Sequence, residues 1–189
     1  MDVGPLMLTM DRGLRTMKNK LKKIKLLIMD VDGVLTDGRI VIDDEGRETK
    51  FFNVQDGFGI VVFRRAGFKT AILSARASQV VQHRAKDLQI DKVYLDAYPK
   101  IDAYKEMLKA FRLTDEAVCF IGDDWPDVEV LKRVGFAVAV PNATPETKEA
   151  AHHVTRNKGG AGAVREVIEL IMKAQGCWPP AHKAHRRKR

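Results

Sequence analysis

Two short acidic clusters hold the residues best suited to chemistry in this sequence. The first, Asp30-Val31-Asp32-Gly33-Val34-Leu35-Thr36, sets two carboxylates one residue apart, with Val31 free to point into a core. The second, Gly122-Asp123-Asp124-Trp125-Pro126-Asp127, holds three more. Each follows directly on a short apolar run, IKLLIM at 24–29 and VCFI at 118–121. If those runs are neighbouring strands, four or five carboxylates converge on one point. Like charges that close repel strongly unless a cation sits among them. Hard oxygen donors with no His or Cys beside them point to Mg²⁺. Either cluster alone has a plainer reading as an Asp-rich turn. A calcium-binding EF-hand loop is excluded, because its sixth and twelfth positions, counted from Asp30, hold Leu35 and Val41 instead of Gly and Glu.

Two further residues stand where such a centre would need them. Ser74 ends the apolar run KTAIL at 69–73 and is placed either to cap a following helix or to donate to a phosphoryl oxygen. Lys100 follows Tyr98-Pro99 at the start of a helical pattern. A helix N-terminus favours anions, so a lysine there is either simply exposed or faces a negative site.

The elements that must position these residues are regular. Five short apolar runs at 24–29, 69–73, 92–95, 118–121 and 136–140 read as buried strands. Helical periodicity fills the intervals at 57–65, 77–88, 101–111, 126–134 and 163–173. This alternation predicts an α/β fold, a Rossmann-like three-layer sandwich with a mainly parallel sheet covered by helices on both faces. Sites in such folds lie outside the carboxyl ends of the strands. One stretch breaks the alternation. Residues 38–54 (GRIVIDDEGRETKFFNV) read as a small β-hairpin about the turn Asp43-Asp44-Glu45-Gly46, inserted after the first strand. A hairpin carrying Ile40, Ile42, Phe51 and Phe52 is marginal alone, and another subunit is a candidate to cover it.

Composition bounds the rest. A chain of 189 residues with 45% hydrophobic content suits one domain with a real core. No apolar run approaches the ~18 residues of a membrane span, and no signal-peptide pattern opens the chain. Two cysteines, Cys119 and Cys177, make no disulfide framework, so a reducing cytoplasm is expected. The net charge of +8 raises the question of nucleic acid, but its distribution argues against that partner. Residues 1–25 carry +5 and residues 182–189 (HKAHRRKR) another +5, leaving −2 for the body between them. The expected organisation is a basic N-terminal arm or helix at 1–23, a catalytic domain at 24–176 with the hairpin at about 38–54, and a basic tail at 177–189. Leu14, Met17 and Leu21 leave the N-terminal segment open between an amphipathic helix packed on the body and a mobile arm. Gly159-Gly160-Ala161-Gly162 is open in the same way, between a tight turn and a flexible lead into the C-terminal segment.

Taken in order, DVDGVLTD, the strand-end Ser74, Lys100 and GDDWPD resemble the four motifs of the haloacid-dehalogenase superfamily of phosphohydrolases, over residues 24 to about 140. The hairpin, the segment NVQDG (Asn53 to Gly57) and GGAGAVRE at 159–166 are similar to the 3-deoxy-D-manno-octulosonate 8-phosphate (KDO 8-phosphate) phosphatase group, whose members lack a large cap domain. The resemblance implies that Asp30 is the nucleophile and Asp32 the general acid and base. It implies Mg²⁺ held by the Asp30 side chain, the Asp32 backbone carbonyl and Asp123, with Asp124 and Asp127 in support. Ser74 and Lys100 would hold the phosphoryl oxygens. Arg76, Arg84, Asn53, Asp56 and Gly57 would meet the sugar acid. It further implies a homotetramer built through the hairpin and a place in lipopolysaccharide sugar synthesis. Two positions depart from the pattern. Ala75 stands where the family has Gly, and Val61 where many members have Arg. Val61 keeps a sialic-acid-type 9-phosphate phosphatase open as an alternative. A nucleic-acid 3′-end phosphatase recruited by the basic tails, and a non-catalytic regulatory module, are the other two.

Overall fold

Every residue of the run Leu26–Met29 is buried, because the strand it forms has neighbours on both edges and helices on both faces. The computed structural model describes residues 15–179. After a helix at 15–23 (α1), β1 (Leu26–Met29) occupies the middle of the sheet. The remaining strands are β4 (Lys69–Leu73), β5 (Lys92–Tyr94), β6 (Val118–Gly122), β7 (Phe136–Ala139) and β8 (His153–Val154), and the order is β5-β4-β1-β6-β7-β8 with every pairing parallel. The helices are α2 (Val54–Arg65), α3 (Gln79–Asp87), α4 (Lys100–Phe111), α5 (Val128–Leu131), α6 (Pro145–Ala150) and α7 (Ala163–Ala174). The five expected strands are all present. The sixth, β8, is two residues long and too short to show a pattern.

Alternation along β1 sorts the core into two layers. Leu27 and Met29 join Ile60, Phe63, Val164 and Ile168 beneath α2 and α7. Leu26 and Ile28 join Tyr104, Met107, Phe120 and Val130 on the opposite face. Gly59 lets α2 come close to α7, since a Cβ there would stand 2.9 Å from Arg165 Cδ and 3.4 Å from Ile168 Cδ1. Strand register then fixes the site. Met29 is level with Ile72 on one side and Ile121 on the other, so Asp30, Ser74 and Asp123 all leave the sheet at one end.

Local signals explain most departures from the expected boundaries. α2 starts at Val54, before Gly57, because Asn53 caps it by accepting from the amides of Gln55 and Asp56. The stretch expected as one helix at 126–134 is a 3₁₀ turn, Trp125–Asp127, followed by the short α5, the turn being closed by reciprocal bonds between Asp124 and Asp127. α1 lies on the body: Leu21 is buried, Met17 packs on the core, and Gln175 Nε2 donates to the carbonyls of Leu21 and Ile24 at 2.9 Å each. Leu14 and the basic tail at 182–189 lie outside the described residues.

The hairpin is real and small. β2 (Val41–Ile42) and β3 (Glu48–Thr49) pair antiparallel as a sheet of their own, and Gly46 takes the positive φ of +76° that the turn needs. Among the described residues there is no large cap. Ile42, Phe51 and Val54 stand 58%, 63% and 78% exposed, so nothing within the described chain covers them. Phe52, by contrast, packs on the core and lies beneath the Arg84 guanidinium. It belongs to the body and not to the hairpin's open face. No helix among the described residues is long and apolar enough to cross a membrane.

Candidate active site

The chain leaves β1 into a tight turn in which Val31 stays buried and its carbonyl accepts the amides of Leu35 and Thr36. That turn sends Asp30 and Asp32 into different surroundings. Asp30 is buried, with its backbone amide bonded to the Ile121 carbonyl at 3.0 Å. An oxygen of Asp30, one of Asp123 and one of Asp127 lie within 4.8 Å of one another. Lys100, the first residue of α4, buries its side chain against this group, with Nζ 2.9 Å from Asp30 Oδ1 and 2.5 Å from Asp127 Oδ1. The lysine at the helix start therefore faces a negative site.

Glycines make the closeness possible. A Cβ on Gly33, where φ is +91°, would stand 2.0 Å from Asp123 Oδ2. A Cβ on Gly122 would stand 2.6 Å from Asp127. On the far side, Gly159 and Gly160 press on the same turn. Gly160 N donates to Val34 O, while Asn142 accepts from Gly159 N and donates to Gly33 O, each at 2.9 Å. The glycine run at 159–162 is thus a turn clamped on the acidic loop and leading into α7.

The electrostatics follow from burial and crowding. Burial, then the neighbouring charge of Asp127, raises the Asp30 carboxyl to about 6, against the pull of Lys100. Burial and the charges of Asp30 and Asp127 raise Asp123 to about 8. Burial works against the charge of Lys100, but Asp30 and Asp127 outweigh it and raise the ammonium above its usual range. Asp123 Oδ1 is buried and has no hydrogen-bond partner. Asp127 is heavily engaged: Oδ1 takes Lys100 and Oδ2 accepts the amides of Asp123 at 2.9 Å and Asp124 at 3.2 Å. Asp124 is exposed, and its side chain accepts from Trp125 N. An oxygen-only donor set, crowded and carrying an orphaned buried carboxylate oxygen, fits a hard divalent cation.

Sequence and structural comparisons bear on this centre. Residues 92–168 match the model of the haloacid dehalogenase-like hydrolases. The chain is 45% identical, over 152 residues, to the 3-deoxy-D-manno-octulosonate 8-phosphate phosphatase of Yersinia pestis, covering 80% of this chain and 81% of that one. The chain belongs to the haloacid dehalogenase-like hydrolase family. Within the family its similarity is to phosphatases. The crystal structure of the KDO 8-phosphate phosphatase of Moraxella catarrhalis, described as a complex with magnesium, phosphate and KDO, superposes with a TM-score of 0.84 at 40% identity, over 86% of this chain and 94% of that one. A putative hydrolase of the same superfamily from Legionella pneumophila gives 0.88 at 43% identity, over 89% and 93%.

As a haloacid dehalogenase-like phosphatase, the chain gathers most, but not all, of its candidate residues. At the carboxyl end of the sheet Asp30, Lys100, Asp123 and Asp127 form one cluster, Asp32 pairs with Arg76, and Ser74 directly follows the neighbouring strand. Ser74 is buried there, anchored through its backbone to Tyr94 and Ala97, and its Oγ accepts the Arg76 amide at 3.3 Å. Asn53, Asp56, Gly57 and Arg84 form another group. Asn53 is the cap of α2. Asp56 is buried, and its carboxylate accepts the amides of Gly162 and Arg165 at the start of α7, with burial raising its pKa against those bonds. Gly57 leaves room for Arg84, whose Nη2 would stand 2.4 Å from a Cβ there. Arg84 pairs with Asp87 at 2.7 Å and lies over Phe52. Their contacts are architectural, and a sugar-binding role for these four gains no support from them. Val61 is half-buried against the core. Two residues were not anticipated. Glu48 and Lys50, where the hairpin returns, reach Asp32 and Arg76. Their spacing of two, across the end of β3 where the chain turns back to the acidic loop, was the available signal.

Proposed function

We propose that this phosphatase hydrolyses KDO 8-phosphate to KDO and phosphate, with Mg²⁺ as cofactor and through an aspartyl-phosphate on Asp30. The observation that carries the reading is the close trio of Asp30, Asp123 and Asp127 oxygens with Lys100 against it and the buried Asp123 Oδ1 unpartnered. The chain's 45% identity to a KDO 8-phosphate phosphatase supports that choice of substrate. Asp30, Asp123 and the Asp32 carbonyl are the groups that would hold Mg²⁺, which supplies the positive charge that lets a carboxylate approach a phosphate dianion.

The remaining chemistry belongs to side chains. An Asp30 oxygen attacks phosphorus, and the bond between phosphorus and the sugar oxygen breaks. Asp32 gives a proton to the departing alkoxide. It then takes one from the water that attacks the aspartyl-phosphate, releasing phosphate and restoring Asp30. Lys100 and Ser74 hold the phosphoryl oxygens as charge develops on them. Arg76, partly exposed beside Asp32, meets the carboxylate of the sugar acid. With only a hairpin over the site, a homotetramer that covers Ile42 and Phe51 would also close the site to water. A cytoplasmic setting suits the reduced cysteines.

Phosphate release in Mg²⁺ from a panel of KDO 8-phosphate, a sialic-type 9-phosphate, hexose phosphates and a 3′-phosphorylated oligonucleotide tests this reading. The expected result is a strong preference for KDO 8-phosphate, lost with EDTA and in a folded Asp30→Asn variant. Preference for another phosphate rejects the substrate. Release by Asp30→Asn at the wild-type rate rejects the nucleophile.

A further inference from the structure

Asp32 does not share the environment of Asp30. It is one corner of a closed ring of four charges. Lys50 Nζ contacts Asp32 Oδ1, and lies 3.1 Å from Glu48 Oε1. Arg76 Nη2 lies 3.2 Å from the same Glu48 oxygen, and Arg76 Nη1 lies 3.4 Å from Asp32 Oδ2. Cations and anions alternate around the ring, and its formal charge is zero. Both oxygens of Asp32 are therefore held, each by a different cation, and the plane of the carboxylate is fixed.

The two cations are not equivalent. The Lys50 side chain is 1% exposed, whereas that of Arg76 is 42% exposed. An ammonium so completely withdrawn from water has no solvent to replace its partners, and leaving them would strand a bare charge. Arg76 can turn to an incoming anion at little cost, because water already solvates part of it. Glu48 then keeps Lys50 in place, itself secured by Ser78 Oγ.

We propose that Lys50 is the positioning residue for Asp32, with Glu48 as its anchor, so that the inserted hairpin carries the device that aims the proton-transferring carboxylate. This rests on the reading of Asp32 as the acid that protonates the leaving alkoxide. Arg76 is the exchangeable partner: when substrate draws it away, Asp32 Oδ2 is freed toward the leaving group while Oδ1 stays on Lys50.

Leaving-group dependence separates this role from a structural one. An alkoxide needs a proton as it departs, whereas a nitrophenolate does not. KDO 8-phosphate and 4-nitrophenyl phosphate are compared as substrates, with Mg²⁺, for wild type, Asp32→Asn, Lys50→Met, Lys50→Arg and Glu48→Gln. Positioned acid–base groups contribute about 10²–10⁴-fold, so Asp32→Asn should lose that much kcat on the sugar phosphate and about tenfold or less on the aryl ester. Lys50→Met should show the same split, with kcat for the sugar phosphate down about 10–100-fold and KM within about threefold. Lys50→Arg should recover part of it. If Asp32→Asn shows the split and Lys50→Met loses both substrates equally, or neither, the positioning role is overturned and the acid assignment stands. If Asp32→Asn shows no split, the acid assignment falls and the inference with it. Should Lys50→Met not fold, as judged by its melting transition, Glu48→Gln keeps the lysine but loosens its anchor. It should show a smaller split of the same sign, and equal losses on the two substrates would overturn the proposal.

Discussion

Replacing Lys100 with Met tests the electrostatic account of the carboxylate trio through stability alone, apart from catalysis. Lys100 Nζ stands 2.9 Å from Asp30 and 2.5 Å from Asp127. At an effective dielectric constant near 20, each contact is worth about 6 kcal/mol before solvation is counted. Withdrawing the ammonium from water consumes several kcal/mol of that. Removing one member of a buried pair leaves a net cost of about 3–5 kcal/mol, because the stranded carboxylates remain. For a chain of this size that lowers the melting temperature by roughly 6–20 °C.

Two conditions should modulate the loss. Near pH 8.5, above the raised values of Asp30 and Asp123, these two carboxylates are most ionised and the cost is largest. Near pH 5.5 proton uptake on the same carboxylates relieves much of it, and the deficit should fall to about half or less. Saturating Mg²⁺ should stabilise Lys100→Met more than it stabilises wild type, since the cation replaces positive charge the variant lacks. Melting by near-UV circular dichroism at the two pH values, with Mg²⁺ and with EDTA, reads all of this. A variant that melts with wild type at the higher pH in EDTA, or gains no more from Mg²⁺ than wild type does, would falsify the account.

Three further outcomes follow from the same geometry. The raised values of about 6 for Asp30 and about 8 for Asp123 mean that the folded, metal-free chain binds protons more tightly than the unfolded chain. Its stability should therefore fall as pH rises from the ordinary carboxylate value through about 8, and the increment from Mg²⁺ should grow across that window. Thermal melts of wild type in EDTA and in Mg²⁺ check this, and a metal-free stability that rises with pH there would contradict it. Gly33→Ala places a Cβ 2.0 Å from Asp123 Oδ2 at a φ of +91°, so it should cost about 1–3 kcal/mol and weaken Mg²⁺ binding by titration calorimetry. Unchanged Mg²⁺ affinity would mean that Asp123 is not a ligand. Ile42→Asp combined with Phe51→Asp puts charge on the hairpin's open face, where both residues are exposed in the monomer. Light scattering should show tetramers for the wild type and monomers for this variant, and a monomeric wild type would remove the hairpin from assembly.

What the sequence revealed and concealed divides along physical lines. Strands such as Leu26–Met29 and Val118–Gly122 are buried on both faces, so they read as continuous apolar runs whatever their neighbours are. Asp30 and Asp123 were legible because position at a strand end is a one-dimensional property. β8 was not, since two residues paired to β7 carry no periodicity of their own. Asp56 stood out as a carboxylate, but its partners are the amides of Gly162 and Arg165, more than a hundred residues away. Nothing local distinguishes a carboxylate that caps a distant helix from one that awaits a substrate. Asp127 shows the same limit: the sequence shows a carboxylate just past a strand end, whereas its bonds to two amides and a lysine are visible only in the fold.

The spacing of Asp30 and Asp32 acquires its meaning only when the two environments are set side by side. Val31 between them is locked into the core, so the neighbouring carboxylates diverge toward different compensating charges. Asp30 enters a cluster with one lysine for three carboxylates, an arrangement short of positive charge that Mg²⁺ would complete. Asp32 enters a ring whose charges already cancel. In the proposed mechanism, a carboxylate in the first setting takes a cation and attacks phosphorus. One in the second setting needs no metal on its side chain, and its orientation depends on Lys50 and Glu48. Since those two residues arrive on a hairpin whose strands are two residues each, the placement of Asp32 is only as secure as a marginal element can make it. Covering Ile42 and Phe51 with a second subunit would steady that hairpin, so assembly and the proton-transfer step should be coupled. Monomers of the Ile42→Asp, Phe51→Asp variant should accordingly lose more turnover on the sugar phosphate than on 4-nitrophenyl phosphate. Equal losses on the two substrates would sever assembly from Asp32.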